Sequence, residues 1–276
     1  MARGNNGNLL QHAVEAQIAQ ELVSRSVDDL HVVLTHSMAP SERFDPRRTG
    51  ASPNRRLQAA LTTAQATPGP CSADPAVLHA FRDLRARDED YPNSARIVAS
   101  ITTRKRLCGV ISEIDAGKAA SLRTDWRCTR LQVCCGSWRS FVSDFQPPAH
   151  APYSWLISMD PNTWVTDGSE SDDEQLRQSD LNLMLPVFED YLRSNQAGAI
   201  AIFCYELRSM ATNSSYGLFR DAIAAAASTL QAAISAPVHH VFLEANGHGG
   251  NRHVGGLISA DLSLLNAVTQ ACLPLL

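Results

Sequence analysis

The chain has no apolar run approaching the ~20 residues that a helical membrane span requires, so no such span is expected. Its N-terminal stretch, Met1-Ala-Arg-Gly-Asn-Asn-Gly, lacks the apolar core of a secretory signal, and a cytoplasmic location is expected. The seven cysteines have no framework spacing. Cys134 and Cys135 are adjacent, the others are scattered, and several fall in apolar runs, so reduced thiols are expected in place of disulfides. Cys/His pairs at zinc-ligand spacing are missing; His248 and His253 come nearest and stand alone. No Gly-x-Ser-x-Gly elbow is present, which argues against an α/β hydrolase. The loop after the first strand has no glycine, which argues against a dinucleotide fingerprint.

Positive charge is also scarce where a nucleic-acid enzyme would show it. Residues 1–130 carry 18 Lys+Arg against 14 Asp+Glu, whereas residues 131–276 carry 6 against 14, a local balance of −8. The one basic cluster is Arg47-Arg48-Thr-Gly-Ala-Ser-Pro-Asn-Arg55-Arg56, either a solvated loop or a phosphate contact. With a pI near 6, RNA is a partner that the charge does not favour, and a small-molecule or protein substrate stands beside it.

What the sequence does contain is an alternation of helical and strand patterns over 276 residues. Residues 8–24 place Leu9, Leu10, Ala13, Val14, Ile18 and Leu22 at helical spacing, with Asn8 as N-cap. Short β-branched runs are expected as strands at 30–34, 107–113, 130–135, 155–160, 198–205, 239–244 and 253–258. Helices are expected between them, at about 54–66, 75–87, 95–103, 117–124, 138–144, 181–195, 216–234 and 262–275. This order predicts a doubly wound α/β fold with a mostly parallel sheet. The last two strands are close enough in sequence to form a hairpin, so one of them should run antiparallel near the edge. Residues 40–93 read as a helical insertion after the first strand, within a single domain of 1–276.

Four strands end in polar residues that converge on one crevice in such a fold: Thr35-His36-Ser37, Glu113-Ile114-Asp115, Gly136-Ser137 and Asp160-Pro161-Asn162. Glu113 has the position and chemistry to accept two ribose hydroxyls. The fourth segment, an apolar strand running into Asp160-Pro161-Asn162-Thr163-Trp164, has the shape of the [Asp/Asn/Ser]-Pro-Pro-aromatic signature of amino-group methyltransferases.

In the order of these motifs the chain resembles the bacterial 23S rRNA (adenine-N6) methyltransferase family known as RlmJ, as a divergent member. It is more distantly similar to the three-Cys-motif partner proteins. The matching segments are Gly7-Asn8-Leu9-Leu10-Gln11-His12, Thr35-His36, Tyr91-Pro92-Asn93-Ser94, Glu113-Ile114-Asp115-Ala116 and Asp160-Pro161-Asn162-Thr163-Trp164. The resemblance implies a Rossmann-like methyltransferase fold with S-adenosylmethionine as cofactor. It implies that His12, His36, Ser37, Ser94, Glu113 and Ser137 line the cofactor pocket. Asp160, Pro161 and Asn162 would form the catalytic turn, with Trp164 and Tyr205 toward the substrate.

The departures fall on function. Leu34 stands where the family has Asp, and Gln11 where it has Lys. Ser37-Met38-Ala39-Pro40 replaces a glycine-rich turn, and Asn162 replaces the second Pro. Trp164 sits one place late for stacking on a flipped base. Three outcomes follow from the sequence: an amino-methyltransferase acting on a nucleic-acid amino group, one redirected to a small molecule or protein, or an inactive methyltransferase-like protein serving as a binding partner.

Overall fold

In a computed structural model the chain is described over residues 6–26, 28–35, 59, 62–63, 75–85, 93–102, 106–149, 152–161, 163–165, 175–195, 197–208, 215–247 and 250–276. The strands are β1 (Asp29–Leu34), β2 (Leu107–Glu113), β3 (Arg130–Cys135), β4 (Tyr153–Met159), β5 (Thr163–Trp164), β6 (Gln175–Leu176), β7 (Gly198–Leu207), β8 (His239–Asn246) and β9 (Arg252–Ser259). The helices are α1 (Asn6–Arg25), α2 (Ala76–Arg85), α3 (Ser94–Thr102), α4 (Ala116–Asp125), α5 (Gln178–Ser194), α6 (Ser215–Ile234) and α7 (Leu262–Cys272).

Seven strands form one sheet in the order β3-β2-β1-β4-β7-β9-β8. Neighbours from β3 through β7 pair in parallel, and β9 runs antiparallel to both β7 and β8. The expected hairpin is therefore present, and its returning strand is inserted one place in from the edge. A short tie, Gly247 N–H to the Asn251 carbonyl at 2.9 Å, closes it. The expected fold class holds: a mixed α/β fold with a mostly parallel sheet.

The strand sequences explain the layering. All seven residues of β4 are buried, as a central parallel strand covered on both faces requires. Successive residues feed opposite cores. Val32, Leu156, Ala201 and Phe203 pack toward α1, α2, α3, α4 and α7. Val33, Ile157, Ile202 and Cys204 pack toward α5 and α6. Helix α1 departs from the amphipathic reading. Every residue from Leu9 to Ala19 is buried, including Gln11, His12, Glu15 and Gln17, because α2, α3 and α7 enclose the face that the spacing left for water.

Several boundaries differ from expectation for local reasons. Asn8 lies inside α1 and is not its cap, since the helix already runs from Asn6. The segment Trp138–Asp144 is a 3-10 helix, entered from Gly136 at φ +141° and followed by Pro147-Pro148. Its position is pinned by Arg139, which makes a bidentate contact with Asp180 at 2.7 Å from both nitrogens and lies 4.7 Å over the Trp138 ring. The two-residue pair β5–β6 flanks the acidic segment 167–174 and was not anticipated. Most of the 40–93 segment lies outside the described residues; its described part, α2, packs on α1 and α3. The six described cysteines are free thiols.

Gly109 shows how closely β1 and β2 approach. Its φ is +129°, and a Cβ there would stand 1.9 Å from the Val32 carbonyl oxygen. Gly109→Ala is therefore expected to destabilise the fold by about 3 kcal/mol or more, from strained backbone and overpacking together. Urea denaturation reads this directly, and a cost under about 1 kcal/mol would show that the pair can open to admit a methyl group.

Candidate functional site

The strand order places the β1–β4 boundary at the point where chain connections diverge to either side of the sheet. In open α/β sheets, ligands bind there, outside the carboxyl ends of the strands. Main-chain and hydroxyl contacts join the strand ends. Thr35 N–H donates to the Ser158 carbonyl at 3.1 Å, and the Ser112 hydroxyl donates to the Thr35 carbonyl at 2.7 Å. Across β2 and β3, Gly136 N–H donates to the Glu113 carbonyl at 3.0 Å.

On the β2–β3 side, Glu113 and Ser137 are brought to neighbouring strand ends. Glu113 is buried, one carboxylate oxygen accepts from Asp115 N–H at 2.9 Å, and burial raises its carboxyl above the ordinary range. Asp115 caps α4 through Lys118 N–H at 2.8 Å, so the helix start fixes the loop that carries Glu113. Ile114, between them, is 60% exposed, an unusual place for a large aliphatic side chain. Ser137 begins the 3-10 helix, its carbonyl accepting from Ser140 N–H at 3.0 Å.

On the β1–β4–β7 side a second group forms around Gln11. The Gln11 amide nitrogen donates to the Ser94 hydroxyl at 2.9 Å and to Glu15 Oε1 at 3.2 Å. Its amide oxygen accepts from the Tyr205 hydroxyl at 3.2 Å. Tyr205 also hydrogen-bonds the Asp160 carboxylate, and the Ser158 hydroxyl donates to Glu15 Oε1 at 2.6 Å. Asp160, Tyr205 and Ser94 are thus joined through a helix residue, although they come from three separate elements. His253 closes the far side, its ring edge-on to Tyr205 at 5.5 Å.

Burial governs the protonation of this group. The Glu15 carboxyl is held up at about 7, first by desolvation, against the lowering effect of its hydroxyl and amide donors. Asp160 is raised well above the ordinary carboxylate range by desolvation; the Tyr205 hydroxyl opposes that rise and the nearby Glu15 charge adds to it. Asp160 keeps part of its surface open while its carboxyl is enclosed by these neighbours. His12, fully buried on α1, is pushed down to about 3 by burial and is neutral at physiological pH.

The remaining candidates fall as follows. Pro161 is buried directly after Asp160. Trp164 is 6% exposed and packs edge-on against Phe219 at 5.8 Å, as part of the α5–α6 core. Its accessible edge lines an open, mainly apolar cleft of about 350 Å³ with Val165, Gln178, Leu218 and Asp221. His36, Ser37, Asn162 and the Arg47–Arg56 loop lie outside the described residues. The reading of the residues missed Glu15 and Ser158, and noted Gln11 only as a departure. The available signal was Gln11 and Glu15 at i, i+4, two polar side chains on one face inside the apolar run Leu9–Ile18.

A single parallel series with one reversed strand next to the edge, ordered β3-β2-β1-β4-β7-β9-β8, decides the architecture. The fold is mixed α/β, with a seven-stranded, mostly parallel sheet. No family model matches the chain, and no curated protein matches it. Among solved structures, protein LPL1258 of Legionella pneumophila str. Philadelphia 1, described under the family model DUF519, is similar with a TM-score of 0.60. The match covers 97% of this chain and 91% of that one at 12% identity, which speaks to the fold alone. A cofactor-bound protein, Rv0187 from MTB, is similar over 79% of this chain and 99% of its own at 16% identity, with a TM-score of 0.33 that carries no argument.

The linkage of Glu15 has a definite sign. Its proton leaves the unfolded chain near 4.5 and the folded chain at about 7, so its contribution to stability falls as pH rises between those values. His12 acts oppositely, adding stability as pH rises from about 3 to 6.5. Glu15→Gln removes only the first effect. Between pH 5 and 8, the stability difference between variant and parent is expected to move by about 3 kcal/mol in the variant's favour, read by urea melts. Parallel pH profiles in the two proteins would show that Glu15 is ionised throughout.

Proposed function

We propose that this chain is an S-adenosylmethionine-dependent methyltransferase acting on an amino group, with a substrate other than ribosomal RNA. The observation that carries the reading is Asp160 at the carboxyl end of β4, beside the switch point, with its carboxylate oriented by Tyr205 from the adjacent strand β7. A carboxylate so held can accept a hydrogen bond from an amino N–H and direct the nitrogen lone pair outward. Orientation of that kind, more than proton transfer, supplies the rate in a methyl transfer.

The described residues fit the cofactor. Glu113, its carboxylate oriented by the N–H groups of Asp115 and Ile114, would accept the ribose hydroxyls. Ile114 offers an exposed apolar face beside it, suited to one side of a purine ring. Gly136, at φ +141°, turns the chain at the β3 end next to Ser137. When bound, S-adenosylmethionine supplies an electrophilic methyl group. Glu113 and Ser137 would hold its nucleoside end, Asp160 and Tyr205 orient the acceptor, and buried His12 supports α1 as a neutral ring.

Trp164 bears on the substrate. Packed against Phe219, it is committed to the core over most of its surface and does not present a free face for stacking on a flipped base. With the acidic balance of residues 131–276, this supports a small-molecule or protein acceptor over RNA. The same burial favours a second reading, an inactive member that binds a partner and performs no transfer.

Calorimetry with S-adenosylmethionine and S-adenosylhomocysteine, followed by labelled-methyl transfer into small-molecule, protein and RNA fractions, separates these readings. Glu113→Ala is expected to weaken cofactor binding at least about tenfold, the effect of losing hydrogen bonds to a charged group. Asp160→Ala is expected to leave cofactor binding intact and abolish transfer. Absence of binding at millimolar cofactor rejects the methyltransferase reading. Binding without transfer into any fraction favours the inactive one.

A further inference from the structure

The group around Gln11 holds two carboxyls, Glu15 and Asp160. Glu15 is 0% exposed, and Oε1 takes the donors from Gln11 and Ser158, with Ser94 also hydrogen-bonded to the carboxyl. Oε2 is buried and has no hydrogen-bond partner among the described residues. Asp160 receives Tyr205 and Gln11. Among the described residues, every donor reaching the two carboxyls is a neutral amide or hydroxyl, and none of the ion pairs involves Glu15 or Asp160. A buried carboxylate without a counter-charge is costly, so it keeps its proton or takes up a cation. Asp160, with part of its surface open, connects this enclosed charge to the crevice.

We infer that the carboxyl pair of Glu15 and Asp160 is a receptor for the positive charge of a bound ligand, either the sulfonium of the cofactor or the ammonium of an amine substrate. This rests on the methyltransferase reading above. Both guests are compact organic cations, and both would sit where a methyl group passes from sulfur to nitrogen. Gln11 carries the arrangement. A neutral side chain there can bridge Ser94, Glu15 and Tyr205 without cancelling the charge that a cationic guest would meet. An amine guest arrives as an ammonium and must lose a proton before its lone pair is free. The Asp160 carboxylate, next to the crevice, accepts that proton, so the summed charge of the guest and the two carboxyls is unchanged.

Other titratable groups face the pair from α1, β2, β7 and β9. His12 on α1 is neutral down to about 3, and burial raises both the Cys204 thiol and the Tyr205 hydroxyl on β7 above their ordinary values. His253 on β9 touches Tyr205 through its ring edge, and Glu113 stands across β1 at the end of β2.

The test compares S-adenosylmethionine with S-adenosylhomocysteine, which differ by the methyl group and its positive charge, on the full chain by calorimetry. Ethylammonium is titrated separately with S-adenosylhomocysteine present. With Glu15 titrating at about 7, preference for the cation is expected to rise about tenfold from pH 6 to pH 8, and to flatten in Glu15→Gln. If the ratio of the two cofactor forms responds, the sulfonium is the guest. If that ratio stays flat while ethylammonium binding responds, the guest is a substrate amine. A flat profile for both probes in the parent overturns the inference, and this measurement needs no variant. A response that persists unchanged in folded Glu15→Gln also overturns it, by removing Glu15 from the receptor. If neither cofactor form binds, the methyltransferase reading fails, and ethylammonium titrated alone decides whether the cation site stands.

Discussion

The enclosure of α1 is the constraint on which the site depends. A helix buried along Leu9–Ala19 must satisfy the polar side chains it carries, because there is no water to do so. Gln11 and Oε1 of Glu15 are satisfied by groups at the sheet's carboxyl edge, Ser94 at the start of α3, Ser158 near the end of β4 and Tyr205 on β7, while Oε2 of Glu15 has no partner among the described residues. The same contacts that let the helix be buried therefore orient Asp160. Stability and site geometry are one network here.

That network also explains why the two halves of the crevice behave differently. At the β2–β3 ends, Glu113 is held by local turns, a backbone N–H two residues on and the cap of α4. Such contacts arise within a few residues and survive changes elsewhere. At the β4–β7 ends, Asp160 is held by residues 45 and more positions away in sequence. A site of that kind is sensitive to each partner. Gln11 shapes this side without adding charge, because a neutral amide bridges Ser94, Glu15 and Tyr205.

Much of the fold was legible because its signals are local. Val32-Val33-Leu34 and Leu156-Ile157 are short β-branched or aliphatic runs that can only be covered strands, and the loop 247–251 marks the closing hairpin. Misreadings occurred where a competing tertiary contact decided. Trp138–Asp144 has helical composition, yet Arg139 is drawn to Asp180, and Trp138 and Phe145 are drawn into the core, which tightens the turn to 3-10. Asn8 reads as a cap by residue type, but α1 begins earlier.

The sequence by itself determined the strand-helix alternation, the reversed strand near the edge, and the identity of the polar strand ends Glu113, Ser137 and Asp160. These follow from residue type and period, which act over a few neighbours. Only the tertiary structure decided that Gln11 and Glu15 face Asp160 instead of solvent, and that Trp164 belongs to the core against Phe219. The physical reason is the same in both cases. A helical spacing of apolar residues says which face must be buried, but not whether a second layer of helices will bury the other face as well.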